Sequence, residues 1–283
     1  MIATLNSTMK APSVVIVIPI YKETLNLLEE FAIQQCFDIL QFHHIVAIKP
    51  ASLSLAQYNY PFDEVVSFND NYFKDVAGYN RLMLSSPFYK TFLKYEFMLI
   101  YQPDAFVFRD DLLYWCNKGF DYIGAPWLAA GDYPDVIKKS KNKLLNFLHR
   151  KLNWKQPNSY LPTAIQLENM VGNGGLSLRR TEKFYSICIE EELLISHYNS
   201  KQEHYFHEDV FWSIEVNRRK SRLKIPSFKI AVYFSLENNC DFGFKLTEGN
   251  LPFGCHAWDK NLKFWKPIFA QHGITIGSSA SHF

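Results

Sequence analysis

The stretch Phe97-Met98-Leu99-Ile100-Tyr101-Gln102-Pro103-Asp104 constrains the chain more than any other. Five apolar or aromatic residues run without a break and then stop at a proline and a carboxylate. An unbroken apolar run of this length, bounded by turn chemistry, fits a central strand covered on both faces. Strands of this kind build open α/β sheets, in which ligands gather just beyond the carboxyl ends. Asp104 therefore falls where a metal ion or a substrate would be met. As a single residue it equally suits a turn cap after Pro103, a common role for aspartate.

The chain around this stretch has the same character. Val14-Val15-Ile16-Val17-Ile18 is a β-branched run and reads as a buried strand, ending at Pro19-Ile20-Tyr21-Lys22-Glu23. Thr24 predicts the cap of a helix reaching about Phe37, with Leu25, Leu28, Phe31 and Ile33 as its apolar positions. Residues 44–48 and 64–68 read as the second and third strands, and Ala231 to Ser235 as a late one. Strand, helix and strand in this alternation open a nucleotide-binding α/β fold. At 283 residues and 48% hydrophobic, the chain suffices for one large α/β domain or two small ones.

A net charge of +2 supplies no global field for a polyanion, and the basic residues cluster in one segment, which argues against nucleic-acid binding. Cys36, Cys116, Cys188, Cys240 and Cys255 are scattered without zinc-site spacing, the pattern of reduced thiols in a reducing compartment. Residues 1–12 lack the apolar core of a secretory signal and are expected to be a tail, as are residues 271–283. The run Val14 to Ile18 is far too short to span a bilayer. The expected setting is the cytoplasm, or the cytoplasmic face of a membrane.

Polar motifs punctuate the rest. Gly78-Tyr79-Asn80-Arg81 opens a helix ahead of the central strand. Asp121-Tyr122-Ile123-Gly124-Ala125-Pro126-Trp127 makes a rigid turn carrying a flat indole, suited either to a sugar ring or to a core. Gly172-Asn173-Gly174-Gly175-Leu176-Ser177-Leu178-Arg179 has three glycines in four residues, which permits close backbone approach and positive φ. It lacks the Gly-Lys-Ser/Thr of a phosphate loop, and a strand follows where a dinucleotide fingerprint has a helix. His207-Glu208-Asp209-Val210 places two acids at a helix start, where the helix dipole alone would favour them. Phe253-Gly254-Cys255-His256 is the last signal. Residues 137–155 interleave seven Lys and Arg with Leu144, Leu145, Leu148 and Leu152 on one helical face, and contain no acid. Such a helix either packs on the domain or lies on an anionic membrane surface.

Taken together these motifs resemble the GT-A-fold glycosyltransferases. They are most specifically similar to a GT-A-like family still labelled as of unknown function, over most of residues 14–258. The resemblance implies an α/β, Rossmann-like domain over residues 13–270 with a mixed central sheet and a basic amphipathic insertion at 137–168. It also implies transfer of a sugar from a nucleotide-sugar donor, UDP-sugars favoured, to a hydroxyl of a glycan or lipid-linked acceptor. Inversion, and a place in surface polysaccharide synthesis, are part of the expectation. Pro19, Tyr21 and Glu23 would hold the base, and Asn80, Arg81, Gln102 and Asp104 the rest of the donor. Asp104 and His256 would bind Mn²⁺ or Mg²⁺, although Gln102 stands where the family's Asp-x-Asp motif has its first acid. Trp127, Gly172, Asn173, Gly174 and Gly175 would shape the sugar pocket, with Asp209 as general base and Glu208 second. The Gln102 departure keeps open a non-catalytic glycan- or nucleotide-binding module. A sugar nucleotidyltransferase is disfavoured by the lack of an early glycine-rich loop with Arg and Lys.

Overall fold

The computed structural model of the chain describes residues 11–129, 131 and 136–276. The tail expected at 1–12 and the end of that expected at 271–283 thus fall largely outside the described residues, as do the side chains of Lys138 and Lys139.

Six strands form the main sheet in the order β3-β2-β1-β4-β7-β6. They are β1 (Val14–Pro19), β2 (His44–Pro50), β3 (Glu64–Phe68), β4 (Phe97–Tyr101), β6 (Tyr122–Ile123) and β7 (Leu176–Arg180). The first four are parallel, with Ile16 opposite Ile45 on one side and Leu99 on the other. β7 runs antiparallel to β4, and β6 to β7. A smaller sheet, β5-β9-β8, joins β5 (Ala105–Val107), β8 (Ser235–Leu236) and β9 (Gly254–His256).

The apolar runs follow from two covered faces. Val14, Ile16 and Ile18 point into one core, with Ile33, Cys36 and Phe37 of helix α1 (Leu27–Ile39). Val15 and Val17 point into the other, with Leu82 and Met83 of α2 (Val76–Met83) and Phe88 of α3 (Ser86–Thr91). A third core surrounds the small sheet. Four further helices complete the frame used below: α4 (Leu112–Asn117), α5 (Val136–Leu152), α6 (Thr181–Glu190) and α7 (Glu192–Asn199).

Two local expectations are corrected. The cap of α1 is Asn26, not Thr24. Asn26 accepts from Glu29 N while Glu29 accepts from Asn26 N, a reciprocal capping box that Thr24 cannot form because Glu stands at the required offset only from Asn26. The strand expected at 231–235 is a helical turn, Phe228–Ala231, followed by the short β8. Ser227, just after Pro226, starts that turn, and its carbonyl accepts from Ile230 N and Ala231 N.

Candidate active site

β1 passes to β2 on one side of the sheet, while β4 lies on its other side. The crevice beyond the carboxyl ends of β1 and β4 is therefore the switch point at which such sheets bind ligands. Pro19 ends one wall and the Gln102-Pro103-Asp104 turn ends the other.

The turn leads straight into β5, whose Ala105 pairs with His256 of β9. That pairing brings a distant histidine beside the aspartate. His256 Nε2 stands 3.0 Å from Asp104 Oδ1 and 3.1 Å from Gln102 Oε1, and its Nδ1 is 3.4 Å from Glu237 Oε1. Glu237 accepts from Asn173 Nδ2, Asn173 Oδ1 accepts from Gly175 N, and Gly175 O accepts from Gln102 N, which closes a ring of contacts. Burial opposes charging of His256, but the Asp104 and Glu237 carboxylates outweigh it and push its pKa up to about 10. Burial likewise works to raise Asp104, yet the His256 and Lys260 charges hold it below the ordinary carboxylate value. The apposed groups thus form an imidazolium between carboxylates.

Glu208 and Asp209 face this ring from the start of α8 (Glu208–Val210), which continues as a π-helical turn over Phe211–Glu215. Asn80 Oδ1 accepts from Glu208 N at 3.2 Å, tying α2 to this helix start. The fully buried Arg179 of β7 donates to Glu208 Oε1 at 3.0 Å, Tyr89 Oη at 2.9 Å and Ser177 Oγ at 3.0 Å. Among the described residues Asp209 has no such cation, and its Oδ1 accepts only from Val210 N at 2.8 Å. Burial first, and the neighbouring Glu208 charge second, raise its pKa well above that of an ordinary aspartate.

A cleft of about 580 Å³ brings together Pro19, Tyr21, Asn80, Gln102, Asp104, Asn173, Gly174, Gly175, Glu208, Asp209 and His256. Four expected residues lie elsewhere. Arg81 lines a separate surface depression, and Glu23 is exposed outside the cleft. Trp127 packs its indole on Gly172, so close that a Cβ there would overlap the ring, and neither lines the cleft. The glycines also act differently from expectation: none of Gly172, Gly174 and Gly175 has positive φ. A Cβ on Gly174 would instead overlap Glu208 Oε1, and one on Gly175 the His256 ring. These glycines make room for the acid and the imidazole.

Sequence reasoning missed Glu237, Arg179, Tyr79 and Lys260. Arg179 closes the glycine motif, but nothing in the motif shows that it is buried against Glu208. Glu237 was hidden by misplacing the strand before it. Lys260 lies four residues after His256, in the 3-10 turn Trp258–Asn261, and lines the cleft. Glu208 Oε2 and Asp259 Oδ1 are buried acceptors without a hydrogen-bond partner among the described residues, and both residues line the cleft.

Among the described residues no three His, Cys, Asp or Glu side chains are arranged to hold a metal ion. The donors at hand are a carboxylate oxygen, an imidazole nitrogen and an amide oxygen, all within 3.1 Å of His256 Nε2 or being that atom. Asp104, His256 and Gln102 would be the ones to hold a divalent ion, once His256 gives up its proton.

Residues 63–256 match the model of a family described as "Protein of unknown function (DUF5672)". No curated protein matches the chain. Among solved structures, the galactosyltransferase LgtC in complex with donor and acceptor sugar analogues is similar with a TM-score of 0.52 and 12% identity, over 94% of this chain and 98% of that one. The glycosyltransferase GlyE of Streptococcus pneumoniae TIGR4 is similar with a TM-score of 0.48 and 10% identity, over 93% of this chain. This chain spans 61% of the GlyE chain. At these identities the likeness is one of fold, which is GT-A-like with a mixed central sheet.

Proposed function

The chain belongs to the family described as Protein of unknown function (DUF5672), and from its cleft we propose that it is a glycosyltransferase using a nucleotide-sugar donor and a hydroxyl acceptor. One observation carries the reading. Asp104, Gln102 and His256 gather at the switch point of the sheet, with the acids Glu208 and Asp209 across the same cleft. A fold neighbour named as a galactosyltransferase and solved with donor and acceptor sugar analogues supports it.

In this reading Pro19 and Tyr21 border the base, and Asn80 and Lys260 the remainder of the donor. Asp104 and His256, with the Gln102 amide oxygen, would hold Mn²⁺ or Mg²⁺. The ion would neutralise charge on the departing diphosphate. Asp209 is the general base. The acceptor oxygen forms its bond to the anomeric carbon as the bond from that carbon to the diphosphate oxygen breaks. The electron pair leaves with the diphosphate, and the acceptor's proton passes to the Asp209 carboxylate, giving inversion. A carboxylate of raised pKa is the stronger base once ionised. Arg179 balances the charge of Glu208 and fixes it, so the two acids take different roles.

The existing ion pair of His256 with Asp104 favours one second reading, a binding module without turnover. Donor breakdown followed by NMR, with acceptors such as simple glycosides, separates the two. Turnover by the wild type, kept binding but lost turnover in Asp209→Asn, and a product of inverted anomeric configuration are expected. A donor that binds yet is never broken down would leave the module reading standing.

A further inference from the structure

The stripe Leu144, Leu145, Leu148 and Leu152 of α5 points away from the protein. Leu144 is 60% exposed and Leu152 65%, and none of the four joins any of the three cores. The inward side, at Asn146 and Arg150, is the polar one, and Asn146 is buried. A helix packed on a water-soluble domain is oriented the other way round. Lys141 and Lys151 border the outward stripe, and residues 137–155 contain no Asp or Glu.

Beneath the helix lies a cavity of about 710 Å³, larger than the cleft. Phe147, Ile214, Phe228 and Phe242 give it apolar walls, and Lys143, Arg150 and Lys229 bring cations to it. Among the described residues that line it the acid is Glu168, which accepts from Asn146 Nδ2 at 2.8 Å. Two buried polar atoms at the cavity, Asn146 Oδ1 and Ser213 Oγ, have no hydrogen-bond partner among the described residues. Ser213 sits in the π-helical turn, a local form that often marks functional sites. It stands about one turn after Asp209 on the same helix.

An outward apolar stripe, a basic border and an apolar cavity with cations and unpaired polar atoms match one chemistry: an anionic head on a hydrocarbon chain. We propose that α5 lies on a membrane surface and that the cavity beneath it takes one anionic phospholipid, its phosphate at Lys143 and Lys229 and its chain among Phe147, Ile214 and Phe228. The inference goes beyond the transferase reading, and its test measures no sugar transfer.

The experiment is cosedimentation of the full chain with vesicles of phosphatidylcholine, with and without phosphatidylglycerol. Binding is expected only with phosphatidylglycerol. Leu144→Asp/Leu148→Asp, exposed positions at which folding is checked by circular dichroism, should abolish it. Lys143→Glu/Lys229→Glu should weaken it by more than about tenfold, at roughly fivefold per surface lysine removed. For the cavity, monomeric dihexanoyl-phosphatidylglycerol should raise the melting temperature where the phosphatidylcholine analogue does not, and Met170→Trp, which fills the cavity from its wall, should remove that shift. No sedimentation with anionic vesicles, or equal sedimentation of the Leu144→Asp/Leu148→Asp variant, would overturn the proposal. So would a wild-type dimer, made monomeric by that variant, that ignores vesicles.

Discussion

His256 carries a proton that a metal ion would have to displace. With its pKa pushed up to about 10, the ring is charged at neutral pH and turns both nitrogens toward carboxylates. Metal binding must release that proton, so apparent Mn²⁺ affinity is expected to rise with pH, by up to about tenfold per unit, until the ring's own pKa is reached. Calorimetric titrations at several pH values measure this, and a flat profile would exclude His256 as a ligand. Asp209 works in the opposite sense for stability. Its folded pKa lies above the ordinary 3.8, so the folded state holds the proton more tightly than the unfolded chain. Stability therefore declines as pH rises above that ordinary value through the folded pKa. Asp209→Asn removes this cost and should melt higher than wild type at neutral pH, while turnover falls by about 10²- to 10⁴-fold. Arg179→Met should be the reverse case. It strands the Glu208 carboxylate in the interior and is expected to cost about 3–5 kcal/mol in urea unfolding, partly recovered in Arg179→Met/Glu208→Gln.

At the scale of elements, the close contacts made around the glycine segment before β7 serve fold and site together. Gly124→Ala would drive its methyl into the backbone carbonyl of Asn173, which has nowhere to retreat, so a loss of stability of about 1–3 kcal/mol is expected. Gly175→Ala meets the His256 ring, which is buried and held at both nitrogens by Asp104, Gln102 and Glu237, so the ring can yield only by breaking those contacts. That variant should lose stability as well as metal and donor binding; an unchanged donor affinity would show that His256 has no part in the site. Much of this was legible beforehand. The apolar runs of β1 and β4 declare strands covered on both faces, and Tyr21, Gln102 and Asp104, which follow them, line the cleft while Glu23 does not. What the chain could not disclose is orientation. The leucines of α5 mark an amphipathic helix, but only the fold shows the stripe facing outward. Arg179 closes the glycine motif, and only the antiparallel pairing with β4 and the partner Glu208 show that it is buried. Glu237 comes from a segment whose turn and short strand were read as one longer strand, so its approach to His256 was invisible.

Across the whole molecule, the cleft is assembled from segments that are far apart in sequence. The main sheet supplies Pro19, Gln102 and Asp104, the small sheet supplies His256, and the helix begun at Glu208 supplies the opposing acids. Five buried, unpaired cysteines and two apolar faces on one sheet stabilise the frame without contributing to the cleft. The most direct measurement is the melting temperature of the full chain with UDP, GDP, CDP and dTDP, each with and without Mn²⁺, beside Asp104→Ala and His256→Ala. One nucleoside diphosphate should stabilise the wild type, more strongly with Mn²⁺, and neither variant should respond. Absence of any shift, or a shift that persists undiminished in both variants, would contradict a diphosphate site at Asp104 and His256.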